Sequence, residues 1–206
     1  MIISVVSQKG GTGKSSIARS LAVEFQRAAW SVLLADLDTG QQTSARWAEK
    51  RVPGGDSIPQ IHSQTFSTAG QALNASQDYQ LTIIDGAPHA TRSTQEAASA
   101  SDLTIIPTGS SIDDLEPAIA LGSDLAKSLN RENIIFALYK TTSESQERES
   151  RETLEDAGFS VLTASVPIRT GYIEALDLGF GITESKYAAL RRTGEAFIQA
   201  IADQLK

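Results

Sequence analysis

At 206 residues, the chain is long enough to bury a sizeable core as one domain, and its composition, 40% hydrophobic and 21% charged, is that of an ordinary soluble globular protein. It contains no cysteine, which excludes disulfides, iron–sulfur clusters and cysteine zinc sites. A formal net charge of −7 argues against nucleic-acid binding by the whole surface and leaves room only for a local basic patch. No apolar run reaches the length that spans a bilayer, and a strand begins within two residues of Met1, so the expectation is a cytoplasmic protein without a signal peptide.

The chain opens with the apolar run Ile2 to Val6, then the polar stretch Ser7 to Ser16, then an amphipathic segment. That order predicts a loop joining a buried strand to a helix. A glycine-rich turn entering a helix aims backbone N–H groups at one point, where the positive end of the helix dipole reinforces them, and polyphosphate fits such a point. The loop ends in Gly13-Lys14-Ser15 but has Gln8 where the pattern G-x-x-x-x-G-K-[ST] needs its first glycine, and it carries a second lysine, Lys9. The alternative is a glycine-rich turn with two solvated lysines.

Ile17, Leu21, Phe25 and Ala28 recur at helical spacing with Arg19, Glu24 and Arg27 on other faces, predicting a helix from Ser15 to Ala29. An alanine at position 29 must either avoid a left-handed exit from that helix or accept strain of roughly 1 kcal/mol. Val32 to Ala35 predicts a buried strand followed at once by Asp36 and Asp38. Carboxylates there lie where an open parallel sheet presents its ligand site, or they cap the helix expected from Gln41 to Lys50. Trp47 reads as packing, Val52-Pro53-Gly54-Gly55-Asp56 as a break, Ile58 to His62 as a short extended segment and Ser67 to Gln77 as a weak helix. His62 and His89 carry no metal-site spacing, and His89 reads as a solvated loop residue.

Leu81 to Ile84 followed by Asp85-Gly86-Ala87-Pro88 predicts a buried strand ending in a carboxylate, the form of a Walker B strand, with a loop suited to move after it. Thr91 to Ala100 predicts a helix and Leu103 to Pro107 a strand. Ser110 to Asp114 can cap a helix running to Leu129, in which Pro117 is acceptable only within the first turn. Ile134 to Leu138 is a fully apolar strand, and Ser145 to Asp156 a solvated helix with i,i+4 pairs Glu147–Arg151 and Arg148–Glu152. Val161 to Ala164 predicts one more strand. From Ser185 onward, Tyr187, Leu190, Phe197, Ile198, Ile201 and Leu205 form an apolar stripe; Glu195 and Asp203 dilute its basic character, which favours packing on the core over a membrane surface. Seven or so strands alternating with helices predict an α/β three-layer sandwich, a mostly parallel central sheet flanked by helices, over residues 1–206 as one domain.

The stretch Lys9-Gly10-Gly11-Thr12-Gly13-Lys14-Ser15 resembles the deviant Walker A motif of the ParA/MinD family of ATPases. Asp36 to Gln41 is similar to that family's D-x-D-P-Q segment, with Thr39-Gly40 replacing the proline and displacing the glutamine by one place. The likeness covers nearly the whole chain and is nearest the small ParA-type, ParF-like partition ATPases, because the loop begins within seven residues of Met1 and an added DNA-reading domain is not expected. It implies a P-loop NTPase fold, ATP and Mg²⁺ as cofactors, and slow hydrolysis to ADP and phosphate. Gly10, Gly11, Thr12, Gly13, Lys14, Ser15 and Ser16 would bind the phosphates, and Ser15 and Asp85 would hold Mg²⁺ with Asp36 near its shell. The catalytic set would be Lys14 on the β- and γ-phosphates, Asp38 on the attacking water, and Lys9 reaching the partner's nucleotide across a dimer interface. Tyr139-Lys140-Thr141-Thr142, with Lys140 the candidate, stands where the family contacts adenine, and Pro167 and Arg169 match its proline and arginine near the nucleotide. Implied partners are a second copy in the ATP state, a ParB-like centromere-binding protein that stimulates turnover, and nonspecific DNA, hence nucleoid association, without stable membrane insertion. Lys186, Arg191 and Arg192 are candidate DNA contacts or ordinary surface charge. A MinD-like membrane-cycling ATPase, a DNA-transfer accessory ATPase and a dethiobiotin-synthetase-like ligase are the alternatives, the last usually lacking a lysine at the Lys9 position.

Overall fold

The computed structural model describes residues 1–51, 58–88 and 92–205. Strands and helices alternate along them: β1 (Ile2–Val5), α1 (Lys14–Arg27), β2 (Val32–Asp36), α2 (Thr43–Lys50), β3 (His62–Thr65), α3 (Ala69–Ala75), β4 (Leu81–Asp85) and α4 (Arg92–Ser99). The second half continues with β5 (Leu103–Thr108), α5 (Ile112–Leu125), β6 (Ile134–Thr141), α6 (Glu144–Asp156), β7 (Ser160–Val161), β8 (Val166–Pro167), α7 (Thr170–Asp177) and α8 (Ala188–Ala202). The strands pair in parallel in the order β3-β2-β4-β1-β5-β6-β7, with β8 also on β6. This is the expected P-loop NTPase sandwich.

The continuous apolar runs of the strands follow from burial on both faces. Val32 and Leu34 of β2 face a core that includes Ile17, Leu21, Phe197 and Ile201, whereas Leu33 and Ala35 face Ala69, Ala72 and Ala97. Toward the other edge, Phe136 and Leu138 of β6 pack with Leu115, Leu121 and Leu154. Successive strand residues thus serve opposite layers, as a period of two requires. Helix α8 turns its stripe inward, with Phe197, Ile198 and Ile201 buried, while Tyr187 stays exposed.

Strand order reverses around β1, which has β4 on one side and β5 on the other. The carboxyl ends at such a switch point form a crevice that accepts ligands. Register brings the chemistry there: Val5 of β1 is level with Asp85 of β4, and Asp85 with Asp36 of β2.

Several expectations need correction. The edge strand lies at His62–Thr65 rather than Ile58 to His62; it bonds only to β2, and its polar side chains carry no apolar alternation. Val161 to Ala164 is replaced by two short strands, Ser160–Val161 and Val166–Pro167. Pro117 stands well inside α5, at its sixth residue rather than in its first turn. Ala29 does adopt the left-handed backbone, with φ 63°. The Glu147–Arg151 pair forms at 3.2 Å, but among the described residues Arg148 and Glu152 do not pair. The break at 52–56 and His89 lie outside the described residues.

Candidate functional site

The loop between β1 and α1 curls through two left-handed glycines, Gly11 at φ 79° and Gly13 at φ 105°. At Gly13 a Cβ would lie 2.3 Å from the Tyr139 ring, so backbone and space both demand glycine. Helix α1 has no side-chain cap and no acidic residue in its first turn, whereas Thr68 and Ser143 cap α3 and α6. Its first N–H groups and its dipole are therefore directed at the loop, an anion site by construction. Lys14 is buried beside them; burial lowers its ammonium pKa, while Asp85 and Asp38 pull it upward. Its Nζ donates to the Lys9 carbonyl at 3.4 Å. Tyr139, whose hydroxyl pKa is pushed up to about 12 by burial, stays a neutral wall under the loop.

On the β2–β4 side, Asp36 is fully buried and saturated by backbone donors. Its Oδ1 accepts from Asp38 N at 2.9 Å, and its Oδ2 from Ser44 N at 2.8 Å and Ala45 N at 3.4 Å. Asp36 thus caps α2 and holds the turn that carries Asp38. Asp38 uses Oδ1 to accept from Gly40 N and Gln41 N, at 3.1 and 2.9 Å. Asp85 is 2% exposed; its Oδ2 accepts from the Ser44 hydroxyl at 2.6 Å, and its Oδ1 is buried without a hydrogen-bond partner among the described residues. Burial pushes the Asp85 carboxyl up to about 6, with Asp36 adding to the rise and Ser44, Ser15 and Arg19 opposing it.

An orphaned carboxylate oxygen, the neighbouring Ser15 hydroxyl, and Thr43 Oγ1 at 3.3 Å from Ser15 Oγ make a hard-oxygen donor set. Among the described residues there is no cluster of His, Cys, Asp and Glu that could cage a metal alone. One carboxylate and hydroxyls beside a phosphate loop suit Mg²⁺, which is held through few protein ligands plus phosphate and water.

On the other side of the loop, a cleft is lined by Gly10, Gly11, Thr12, Ser110, Ser111, Asp114, Tyr139, Lys140, Thr142 and Gln146. Lys140 is left-handed at φ 62°, set in a bulge where β6 meets β8, and its Nζ donates to the Gly11 carbonyl at 2.9 Å. Backbone strain of this kind collects at functional clefts, which makes this a candidate ligand site. Pro167 and Arg169 do not line the cleft: Pro167 pairs with Thr141, and Arg169, at the N-cap of α7, donates to the Ile168 carbonyl at 2.8 Å.

At the mouth, the Lys9 ammonium donates to Asp114 Oδ1 at 2.6 Å and to the Asp113 carbonyl at 3.3 Å. Pro117 explains the second bond. With no N–H, it leaves the carbonyl four residues earlier, that of Asp113, without its helical donor. The bond to Asp114 raises the Lys9 pKa.

Residues 3–179 match the CobQ/CobB/MinD/ParA nucleotide binding domain family. The chain belongs to this family. As a member it is a P-loop ATPase of ParA/MinD type, with ATP and Mg²⁺ as its cofactors, and the uncapped α1 terminus and the open Asp85 oxygen fit both. No curated protein sequence matches the chain. Among solved structures, MinD of Pyrococcus horikoshii complexed with Mg-ADP gives a TM-score of 0.76 at 19% identity, covering 98% of this chain and 94% of its own. A putative plasmid partition protein of Borrelia burgdorferi bound to AMPPNP gives 0.73 at 17%, covering 98% of each. Apo McdA of Cyanothece gives 0.72 at 16%, covering 97% of this chain and 98% of its own. These likenesses show the shared fold.

Around this candidate site, sequence reasoning missed Thr43, Ser44, Gln146, Arg19 and the link from Asp114 to Lys9. Tyr139 was legible as the last large residue of a buried strand. Ser44 had no signal, since its place depends on how α2 folds back over β4.

Proposed function

We propose that this ATPase is a nucleotide-gated dimerising switch for partitioning DNA cargo. The observation that carries this reading is the placement of Lys9: on the exposed rim of its own cleft, 44% exposed, and turned away from the phosphate loop onto Asp114. A lysine serving its own nucleotide would point inward, as Lys14 does; one on the rim suits a second subunit's nucleotide.

The α1 N–H groups and Lys14 bind the phosphates, Ser15 and Asp85 hold Mg²⁺, and Asp36 borders that shell by ordering the Asp38 turn. Bound Mg²⁺ supplies charge neutralisation of the phosphates. The outer oxygen of Asp38 orients water at the γ-phosphate, and Lys9 adds positive charge in trans, so that dimerisation follows the γ-phosphate. Lys140 and Thr142 border the base, with Pro167 and Arg169 supporting that edge from β8 and α7. A ParB-like protein stimulates turnover.

DNA is preferred to a membrane as the matrix because the apolar stripe of α8 is spent on the core. Among the described residues no helix is long and apolar enough to cross a membrane. Of the candidate DNA contacts, Lys186 is paired with Glu174 at 2.9 Å and Arg191 with Glu195 at 3.8 Å, leaving Arg192 the freest. DNA binding should therefore be weak per protomer, with a shallow salt dependence set by its few phosphate contacts.

The test is Lys9→Ala in light scattering. The variant should bind nucleotide and form no ATP-induced dimer, and a persisting dimer overturns the trans role. Co-sedimentation with DNA against flotation with liposomes, both in ATP, decides the matrix.

A further inference from the structure

We infer that Arg19 is a positioning residue for the Mg²⁺ side of the site, acting through Ser44 to set which oxygen of Asp85 faces the cation. The inference rests on the assignment of Asp85 to Mg²⁺. In sequence, Arg19 is one of the charged residues off the apolar stripe of α1. In the fold, α2 covers it: its Nε donates to Ser44 Oγ at 3.1 Å, and its guanidinium lies 5.6 Å from the centre of the buried Trp47 ring.

Ser44 Oγ is in turn 2.6 Å from Asp85 Oδ2. A guanidinium only donates and an ionised carboxylate only accepts. The hydroxyl between them therefore has a single assignment, accepting from Arg19 and donating to Asp85. Oδ2 is fixed by that bond, and Oδ1 is the buried oxygen left without a partner. Ser44 is itself held by its backbone N–H, which donates to Asp36 Oδ2 at 2.8 Å. The relay thus runs from the helix that receives the phosphates, through the first turn of α2, to the carboxylate that receives the cation. Without the guanidinium, Ser44 Oγ loses the donor that anchors it, its rotamer is held only by the bond to Asp85, and the orientation of the Asp85 carboxylate loosens.

The experiment is ADP affinity by calorimetry, in Mg²⁺ and in EDTA, read as the ratio of the two. Wild type should show a Mg²⁺ enhancement that Asp85→Asn abolishes; an enhancement that survives Asp85→Asn overturns the assignment of Asp85 itself. With that assignment standing, Arg19→Met should reduce the enhancement about tenfold, the scale of a hydrogen bond to a charged group. An unchanged ratio overturns the relay, as does an equal loss in both arms, which marks a merely structural residue. The Arg19→Met/Ser44→Ala double variant should lose little more than either single one, and additive losses show that Arg19 does not act through Ser44. Ser44→Ala and Ser44→Thr test the relay independently of whether Arg19→Met folds. Loss in the first and retention in the second is expected, and equal enhancement in both overturns it.

Discussion

Lys9 and Asp114 are joined across the mouth of the cleft beside the glycine loop, Nζ to Oδ1 at 2.6 Å, although they are 105 residues apart in sequence. Ser111 fixes the other carboxylate oxygen at 2.7 Å, and the Asp113 carbonyl released by Pro117 gives the ammonium a second acceptor. In the proposed switch this contact competes with the partner's phosphate for the same lysine. Asp114→Ala should therefore lower the ATP concentration that half-saturates dimer formation, roughly two- to fivefold, the range of exposed ion pairs. Light scattering against ATP concentration measures it, and an unchanged or higher midpoint removes Asp114 as a competitor.

How much of this was legible depended on whether a feature was local. Strand β1, the glycine loop and α1 could be read because glycine, lysine and a 3.6-residue period each leave a local mark. Asp85 was legible as a carboxylate closing an apolar run. The roles of Asp36, Arg19 and Ser44 were not separable, because they depend on α2 returning over β2 and β4, a contact that no spacing encodes. Pro117 misled for a related reason: its cost was judged within α5, whereas the released carbonyl finds its donor in Lys9.

Ala29 closes α1 in a Schellman arrangement. Ala29 N donates to the Gln26 carbonyl and Trp30 N to the Phe25 carbonyl, both at 3.0 Å, and the two aromatic rings meet edge-on at 5.3 Å. A left-handed alanine is strained where glycine is not. Ala29→Gly should stabilise the protein by about 0.5–1 kcal/mol, part of the strain relief being offset by the freer unfolded chain. Urea unfolding reads this directly, and a destabilised variant would mean that the Phe25–Trp30 contact needs the methyl group.

The Asp85 carboxyl gives the apo protein a pH dependence of defined sign. Its folded pKa is raised from the ordinary 3.8 to about 6 by burial. Between those values the folded state holds the proton that the unfolded state has released, so stability falls as pH rises through the window and is level above it. Asp85→Asn removes this contribution. Relative to wild type without nucleotide, the variant should gain about 2–3 kcal/mol between pH 4 and pH 7. A stability difference that does not change with pH in urea titrations at the two values would place the proton elsewhere.

Arg51 ties the far end of α2 to the turn before α8. Its guanidinium, 1% exposed, makes two 2.7 Å bonds to Glu184, and it also donates to the Gly179 carbonyl at 3.0 Å and to the Pro59 carbonyl at 2.7 Å. Glu184 accepts in addition from Arg27 and from Gly181 N, both at 2.7 Å. Removing the cation leaves a carboxylate that is 5% exposed facing one half-exposed arginine, together with two carbonyls stripped of their donor. Arg51→Met should cost about 3–5 kcal/mol, because a buried carboxylate left with only Arg27 and one N–H, beside two carbonyls without donors, is far more expensive than the pair was favourable. Arg51→Lys keeps the charge but presents it as a point, unable to span both carboxylate oxygens and both carbonyls, and should recover only part of that loss. The order wild type, Arg51→Lys, Arg51→Met in urea midpoints is the expected outcome. Full recovery by lysine would reduce the planar fork to its charge, and a loss below about 1 kcal/mol for methionine would show the pair to be no stronger than a surface one.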